Sequence, residues 1–178
     1  DLSSELIIKI NELILSGAKA LGVDYGQIKG DLVLDHNGDP KIIELAARLS
    51  GGWFASHQIT AATGVNLVDI VISYALRDNI EEHQLKPSKK NSCAIRYWFP
   101  KSGKIKKISG EAELKKIPGL IKYEFYKKPG DIQSKINMHS DRFGFVIVEG
   151  PNRTEAIARV EKAISCIDIE VDEFDFSN

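Results

Sequence analysis

The sequence predicts an α+β protein, because segments with helical and with strand periodicity alternate along the chain. Residues 4–21 place apolar side chains at three- and four-residue steps, which predicts an amphipathic helix that ends at Gly22. The apolar runs 28–34 and 41–46 then flank Asn37-Gly38. Two short apolar runs around an Asn-Gly turn are typical of a β-hairpin.

Two helices are expected after the hairpin, over 56–63 and 67–77. Gly64 separates them, and Asn66 is suited to cap the second, since a short polar side chain can accept the free N–H groups of a first helical turn. No internal repeat and no low-complexity tract follows.

A polar segment that contains Pro87 then predicts a domain boundary, with one domain over 1–86 and another over 87–178. In the second domain we expect a polar loop over 127–141 and a helix over 154–167 that Thr154 caps. The other expected elements are strands over 93–99, 104–108, 120–126, 143–148 and 169–174 and a short helix over 111–117.

The bulk composition is that of an ordinary soluble globular protein, with 43% hydrophobic and 28% charged residues in a chain of 178. A formal net charge of -1 argues against a protein built mainly to bind nucleic acid or a membrane surface. Cys93 and Cys166 lack metal-ligand spacing and are expected to be reduced thiols of a cytoplasmic protein. Because the first residue is Asp and not Met, we expect a piece of a longer chain.

The hairpin carries two acids at matching positions, Asp31 on the first strand and Glu44 on the second. Strand pairing would bring both carboxylates to one face, which is unfavourable unless a cation lies between them. Carboxylate oxygens suit Mg²⁺, which binds a few protein oxygens together with waters and phosphate oxygens. On spacing alone, two solvated acids beside a hairpin are the favoured interpretation.

The segment from Ile42 to Gly52 resembles the signature of the ATP-grasp superfamily of ligases. In that family a buried strand ends in a metal-binding Glu, and an Arg follows four residues later, before a glycine-containing loop. Residues 30–33 resemble the strand that supplies the first metal carboxylate. Residues 57–67 are similar to the helix–Thr-Gly–helix continuation of the biotin-carboxylase and carbamoyl-phosphate-synthase branches. The resemblance is strong over 20–78 and looser over 92–172.

This resemblance implies the C-terminal half of an ATP-grasp lobe over 1–86, made of a helix, a β-hairpin and helices, followed by a small mixed α/β cap subdomain over 87–178. It implies ATP and Mg²⁺ (or Mn²⁺) as cofactors. Their binding residues would be Asp31 and Glu44, with Arg48 as the catalytic residue that faces an acyl phosphate. Substrate binding would fall to the loop residues Ser50, Gly51 and Gly52, with a plain turn as an equally open interpretation for the two glycines.

The implied activity is that of a ligase that phosphorylates a carboxylate and joins it to an amine, most like the L-amino-acid-ligase and carbamoyl-phosphate-synthase-like branch. The implied partners are the small-molecule carboxylate and amine substrates and the N-terminal lobes of the same protein, with no nucleic acid and no membrane. A homodimer is among the expected assemblies, and the chain alone is expected to be inactive. Ala46 replaces the Asn that many members use as a further metal ligand, and Ser56 replaces the base of biotin carboxylases.

Arg142 begins a segment that resembles an element of the C-terminal caps of these ligases, where an Arg points at the acidic group of the substrate. Arg142 is therefore a candidate substrate-binding residue, and Arg96 is a weaker one. A structural ion pair is an equally open interpretation for each.

A second hypothesis is a non-catalytic binding module with a basic β-surface for RNA or a protein partner. Residues 86–128 hold 13 Lys or Arg against 3 Glu, and aromatic side chains are interleaved with them. An aromatic-glycine strand motif typical of RNA-binding sheets is absent from the sequence. Solvated lysines over an aromatic core are therefore the favoured interpretation.

Overall fold

The structure is a computed structural model that describes residues 2–173, and the chain divides into two compact units. The first unit runs to Ser56 and also includes Asn66–Lys86. The second comprises His57–Val65 and the chain from Pro87 onward.

Residues 57–65, which the sequence analysis assigns to the first domain, therefore belong to the second unit. The reason is backbone pairing with the segment that precedes the second unit's first strand. Ser88 donates its N–H to the carbonyl oxygen of Thr63 at 2.8 Å, and Asn91 donates to that of Ala62 at 2.9 Å. Sequence periodicity does not reveal such hydrogen bonds, because they join segments that are distant along the chain.

The first unit contains the predicted helix, hairpin and second helix. Helix α1 begins after Ser3, whose hydroxyl accepts the N–H of Leu6 at 3.2 Å. As predicted, Asn66 caps the later helix through its side chain. The elements are α1 (Ser4–Ala20), β1 (Lys29–Leu34), β2 (Pro40–Ala46), α3 (Leu67–Ala75) and a 3₁₀ helix (Glu82–Leu85).

Helix α1 packs closely on the hairpin because Gly17 has no side chain. A Cβ at Gly17 would overlap Cδ1 of Leu45 on β2, and one at Gly30 on β1 would come within 3.4 Å of Cδ1 of Ile14. The two glycines therefore let the helix lie against both strands, which holds the hairpin in place.

The predicted helix over 56–63 is a composite of two short segments. A π-helical segment (Phe54–Gln58) leads into α2 (Ile59–Thr63), which ends at Gly64. Gly64 adopts a left-handed conformation with φ of 80°, as a helix C-terminus often requires.

The second unit has two antiparallel sheets within the described residues, with strand orders β3-β7-β5 and β6-β4-β8. Helix α5 packs on β3 and β7, and the buried core lies beneath it around Phe143, Val146 and Val160. The elements are β3 (Ser92–Trp98), β4 (Gly103–Ser109), α4 (Glu111–Leu114), β5 (Leu120–Phe125), β6 (Ile132–Gln133), β7 (Gly144–Gly150), α5 (Arg153–Ser165) and β8 (Asp168–Glu173).

Three local predictions for this unit need correction. The segment predicted as a polar loop contains β6 and a 3₁₀ turn (His139–Asp141), since β6 pairs with an edge of β4. Helix α5 is capped by Asn152 and not by Thr154, because the Asn152 side chain accepts the N–H of Glu155 at 2.9 Å. Helix α4 ends at Leu114, earlier than predicted. Phe174, expected in the last strand, lies outside the described residues.

None of the helices within residues 2–173 combines the length and the apolar character that a membrane crossing requires.

Candidate functional site

The two acids of the hairpin are direct cross-strand partners, as the sequence predicts. Strands β1 and β2 pair antiparallel with Asp31 opposite Glu44. Their side chains are 54% and 51% exposed, so the carboxylate oxygens are open to solvent on the surface of the first unit. Two carboxylates at opposed positions of one strand pair repel each other and therefore favour the binding of a cation.

An irregularity in the strand pairing lies beside this pair. Asp31 pairs with Glu44, but the next residue, Leu32, pairs with Ile42, so Ile43 is left over as a bulge on β2. A bulge changes the local twist and re-aims the neighbouring side chain. Ile43 is 69% exposed and the side chain of its neighbour Glu44 is 51% exposed, whereas regular alternation along β2 would turn one of these two residues inward.

Lys29 is a member of the site that the sequence analysis did not identify. Its Nζ contacts Oδ2 of Asp31 and lies 3.2 Å from Oε1 of Glu44, so one ammonium joins both carboxylates. The pKa of Lys29 is raised above its ordinary value of 10.5, chiefly by the hydrogen bond to Asp31. The spacing of two residues between Lys29 and Asp31 could have revealed this contact, because such residues share one face of a strand.

Arg48 follows the end of β2 and lies beside the acidic pair. Its Nη2 is 3.4 Å from Oε1 of Glu44, and its Nη1 donates to the carbonyl oxygen of Leu49 at 3.2 Å. The backbone N–H of Arg48 donates to the carbonyl oxygen of Ala46 at 2.9 Å, which turns the chain away from the strand. The guanidinium thus stands next to the carboxylates, and it is 57% exposed.

The loop after Arg48 exposes its backbone. A Cβ placed at Gly51 or at Gly52 would meet no heavy atom within 4 Å, and Gly52 has a φ of 61°. The N–H of Phe54 donates to the carbonyl oxygen of Gly51 at 3.1 Å, which closes the turn. Ser50 is half-buried at the start of this loop. Exposed backbone without side chains permits a close approach by a ligand oxygen.

The donor chemistry of the hairpin fits Mg²⁺ or Mn²⁺. Mg²⁺ is commonly bound through one or two carboxylates, with water and phosphate oxygens in the remaining positions. Asp31 and Glu44 supply two such carboxylates, and Ala46 offers no side-chain ligand beside them. Within residues 2–173, no three or more His, Cys, Asp and Glu side chains come together in a group that could hold a metal. The arrangement therefore fits a cation that also binds phosphate, and not a closed protein cage.

Arg142 lies in the second unit, after the 3₁₀ turn and before β7. Its guanidinium carbon is 3.9 Å from the ring centroid of Tyr97, which is a cation–π contact. Arg96 instead makes an ion pair with Glu161 at 2.7 Å, in line with the structural interpretation left open for it. Substrate binding by Arg142 stays a prediction.

Many basic side chains of the second unit pair with acids on the same element or on a neighbouring one. Lysines of β4 pair with β8, as in the contact of Lys106 with Asp172 at 2.6 Å. Of the interleaved aromatic residues, Trp98 is buried and donates its Nε1–H to the carbonyl oxygen of Ile164 at 3.3 Å. Further pairs are Lys101–Glu173, Lys107–Glu170, Lys115–Glu111, Lys116–Glu113 and Lys122–Glu124. These pairs weaken the basis of the RNA-binding hypothesis.

Most of the second unit matches the model of a known domain. Residues 96–172 match the model of the L-amino acid ligase C-terminal domain 2. A curated protein of Sinorhizobium fredii, the uncharacterized protein y4rH, is 25% identical over 158 residues, which cover 88% of this chain and 32% of that protein.

Solved structures match nearly the whole chain. A phosphoribosylglycinamide synthetase from Anaerococcus prevotii has a TM-score of 0.83 at 21% identity, over 97% of this chain and 44% of that one. An L-amino acid ligase from Bacillus licheniformis has a TM-score of 0.78 at 24% identity, over 97% of this chain and 43% of that one. A biotin carboxylase from Campylobacter jejuni, solved as a complex with β,γ-ATP, has a TM-score of 0.64 at 20% identity, over 97% of this chain and 38% of that one.

The chain spans about a third of the length of the curated relative and less than half of the length of each of these solved structures.

Proposed function

We propose that this chain, which has the fold of the C-terminal part of ATP-grasp ligases, is the C-terminal portion of an ATP-dependent ligase that forms carbon–nitrogen bonds. The ligase would use Mg-ATP to activate a carboxylate as an acyl phosphate and would join it to an amine or a similar nucleophile. The family match over residues 96–172 supports the L-amino-acid-ligase branch.

The observation that carries the proposal is the direct pairing of Asp31 with Glu44, with Arg48 beside Glu44 at 3.4 Å. Two open carboxylates on a strand pair are the donors that a phosphate-bound Mg²⁺ uses. An arginine next to them offers a planar fork of N–H donors that matches the oxygens of a carboxylate or phosphate. The three groups thus provide for a metal ion and for an oxyanion within one surface of the first unit.

Each residue has a distinct part in this proposal. Asp31 and Glu44 would hold a divalent metal against the phosphates of ATP, where its charge would offset the negative charge of the transferring phosphoryl group. Arg48 pairs with the negative oxygens of the acyl phosphate. Ser50, Gly51 and Gly52 would present backbone N–H groups and a hydroxyl to the substrate. Arg142, in the second unit, stays a candidate for binding an acidic group of a substrate.

The rest of the activity depends on parts of a longer protein. The solved structures that match this chain are more than twice its length. We expect their other lobes to have counterparts that bind adenine and the phosphates, so that the 178-residue chain alone does not hydrolyse ATP. A cytoplasmic location is also expected, because ATP is the cosubstrate.

The test is an acceptor screen that follows ADP release by the full-length protein over amino acids, small carboxylates and bicarbonate. The expected result is Mg-dependent ADP release that requires both a carboxylate and an amine. Glu44→Gln should abolish it while the protein stays folded. Glu82→Gln is the control, because Glu82 is also an exposed acid in a surface ion pair, with Lys86 at 2.7 Å, and lies outside the hairpin.

Two results would contradict the proposal. One is full activity of Glu44→Gln, and the other is the absence of acceptor-dependent ADP release across the whole screen. Salt-sensitive binding of single-stranded RNA by an inactive protein would support the binding-module hypothesis instead.

A further inference from the structure

We propose that Lys29 is an internal counter-ion that competes with the divalent cation for the same carboxylate oxygens of Asp31 and Glu44. The proposal rests on the proposed function, since it concerns the metal site on the hairpin. It assigns to Lys29 a positioning role: the ammonium holds the two acids together before the cation binds, and it must leave when the cation arrives.

The contacts of Lys29 are those expected of such a competitor. Its Nζ contacts Oδ2 of Asp31 and lies 3.2 Å from Oε1 of Glu44. A cation coordinated by both acids would use oxygens of these same two carboxylates. The Lys29 side chain is only 18% exposed, against 54% and 51% for the two acids. Its hydrocarbon stem is therefore largely covered, while the ammonium reaches the open carboxylates.

The two cations cannot occupy the pair together. Mg²⁺ binds carboxylate oxygens at roughly 2.0–2.1 Å, which would place it within a few ångströms of an ammonium on the same oxygens. Like charges at that separation repel strongly, and the acid oxygens would have to serve both. The ammonium therefore lowers the affinity of the hairpin for a bare divalent cation.

Arg48 is the other cation that faces the pair, and its geometry is different. It reaches Glu44 alone, at 3.4 Å, and its second nitrogen is engaged with the carbonyl oxygen of Leu49. Arg48 can stay near Glu44 while a metal binds, because it does not bridge the acids. Lys29 is thus the cation whose contacts coincide with those of the metal.

Lys41 provides a matched control on the same hairpin. It forms an ion pair with Asp35 at 3.3 Å, near the turn, and has the same side chain and charge as Lys29. Removal of its charge changes the net charge of the protein equally. Any general electrostatic effect on metal affinity should therefore appear in both variants.

The experiment is a titration of the ¹⁵N-labelled protein with Mn²⁺ alone at pH 7, which follows paramagnetic broadening of the amide signals of Asp31 and Glu44. Lys29→Met, Lys29→Gln and Lys41→Met are compared with the unmodified protein and with Glu44→Gln. Both Lys29 variants should bind Mn²⁺ about three- to tenfold more tightly, as expected when two exposed ion pairs are removed. Lys41→Met should change the affinity less than about twofold, because the Lys41 side chain is 58% exposed and pairs with Asp35, so that solvent and salt screen its charge from the carboxylate pair.

The outcomes separate this proposal from the proposed function. If Glu44→Gln weakens Mn²⁺ binding but neither folded Lys29 variant binds more tightly than Lys41→Met, the competition is overturned and the metal site stands. If millimolar Mn²⁺ broadens neither hairpin signal in any variant, the metal site fails and the competition fails with it. Circular dichroism establishes that each variant is folded. Two Lys29 substitutions are used so that the test still holds if one of the variants does not fold.

Discussion

Arg48 donates from Nη2 to Oε1 of Glu44 across 3.4 Å, while its Nη1 donates to the carbonyl oxygen of Leu49 at 3.2 Å. The side chain is thereby held at the end of β2, next to the carboxylate pair. Both contacts are exposed, so they add little to the stability of the fold. Loss of the guanidinium should therefore cost the fold little, so that an effect of its removal on activity can be separated from an effect on folding.

Replacement of Arg48 should slow the ligase without unfolding it. We expect Arg48→Met to lower kcat of the full-length protein by about a hundredfold, the usual effect of removing one donor to a developing oxyanion. Arg48→Lys should recover part of the rate, since a point charge remains without the planar fork. Steady-state ADP release measures both. A kcat of Arg48→Met within a fewfold of the unmodified protein would remove Arg48 from the site.

The loop glycines offer a pair of substitutions that separate function from folding. Gly51→Ala should leave the melting temperature unchanged, because its Cβ would meet no heavy atom within 4 Å. It should still raise KM for the carboxylate substrate severalfold, since the methyl group blocks the backbone approach. Gly52→Ala should in addition lower the stability by about 1 kcal/mol, because φ is 61° at that residue. An unchanged KM for Gly51→Ala would place the substrate elsewhere.

The start of helix α5 provides a test of the fold alone. Asn152→Ala should reduce the free energy of unfolding by about 1 kcal/mol, the usual value of an N-cap. Thr154→Ala should change it by less than about 0.5 kcal/mol, as is usual away from such a feature. Thermal or urea denaturation distinguishes the two. Equal losses in both variants would contradict the assignment of the cap to Asn152.

Cys93 should react slowly with thiol reagents. Burial, and then the nearby charge of Glu149, raise the pKa of Cys93 from its ordinary value of 9.0 to about 11. The thiolate is the reactive form, so alkylation of the folded protein at pH 8 should be roughly a hundredfold slower than that of the unfolded chain. Glu149→Gln should speed the reaction. Iodoacetamide labelling followed by peptide mass spectrometry measures it, and a rate equal to that of the unfolded chain would refute the shift.

The same shift has a consequence for stability against pH. Because the folded protein retains the Cys93 proton to higher pH than the unfolded chain, this group favours the folded state fully below pH 9.0. That contribution is lost as the pH rises through about 11. Cys93→Ser should flatten the decline in melting temperature over this range.

Much of the hairpin could be predicted from sequence because its determinants are local. The Asn37-Gly38 turn and the apolar runs beside it predict the strands, and turn length sets the register. Asp35 strengthens the turn by accepting the N–H groups of Asn37 and Asp39 at 2.9 Å and 3.0 Å. These backbone hydrogen bonds, that from Asp39 first, lower the pKa of Asp35.

Other features depend on contacts that join distant parts of the chain. In the sequence, the lysines of β4 form part of a basic segment with few acids. In the structure, Lys106 pairs with Asp172 on a strand more than sixty residues later. The bulge at Ile43 is also invisible in the sequence, because it reflects how β2 fits against β1.

The sequence by itself determined the order of the α-helices and of every described strand except β6, the opposition of Asp31 and Glu44, and the motif that leads through Arg48 to the glycine loop. Periodicity, turn chemistry and residue spacing suffice for the elements and for the opposed acids, since each acts over a few residues. The motif is identified by its resemblance to the ATP-grasp signature. Only the tertiary structure decided that Lys29 bridges the two acids and that residues 57–65 join the second unit. Those outcomes depend on which side chains and backbone groups meet after the chain has folded, and on the packing that selects one arrangement among several.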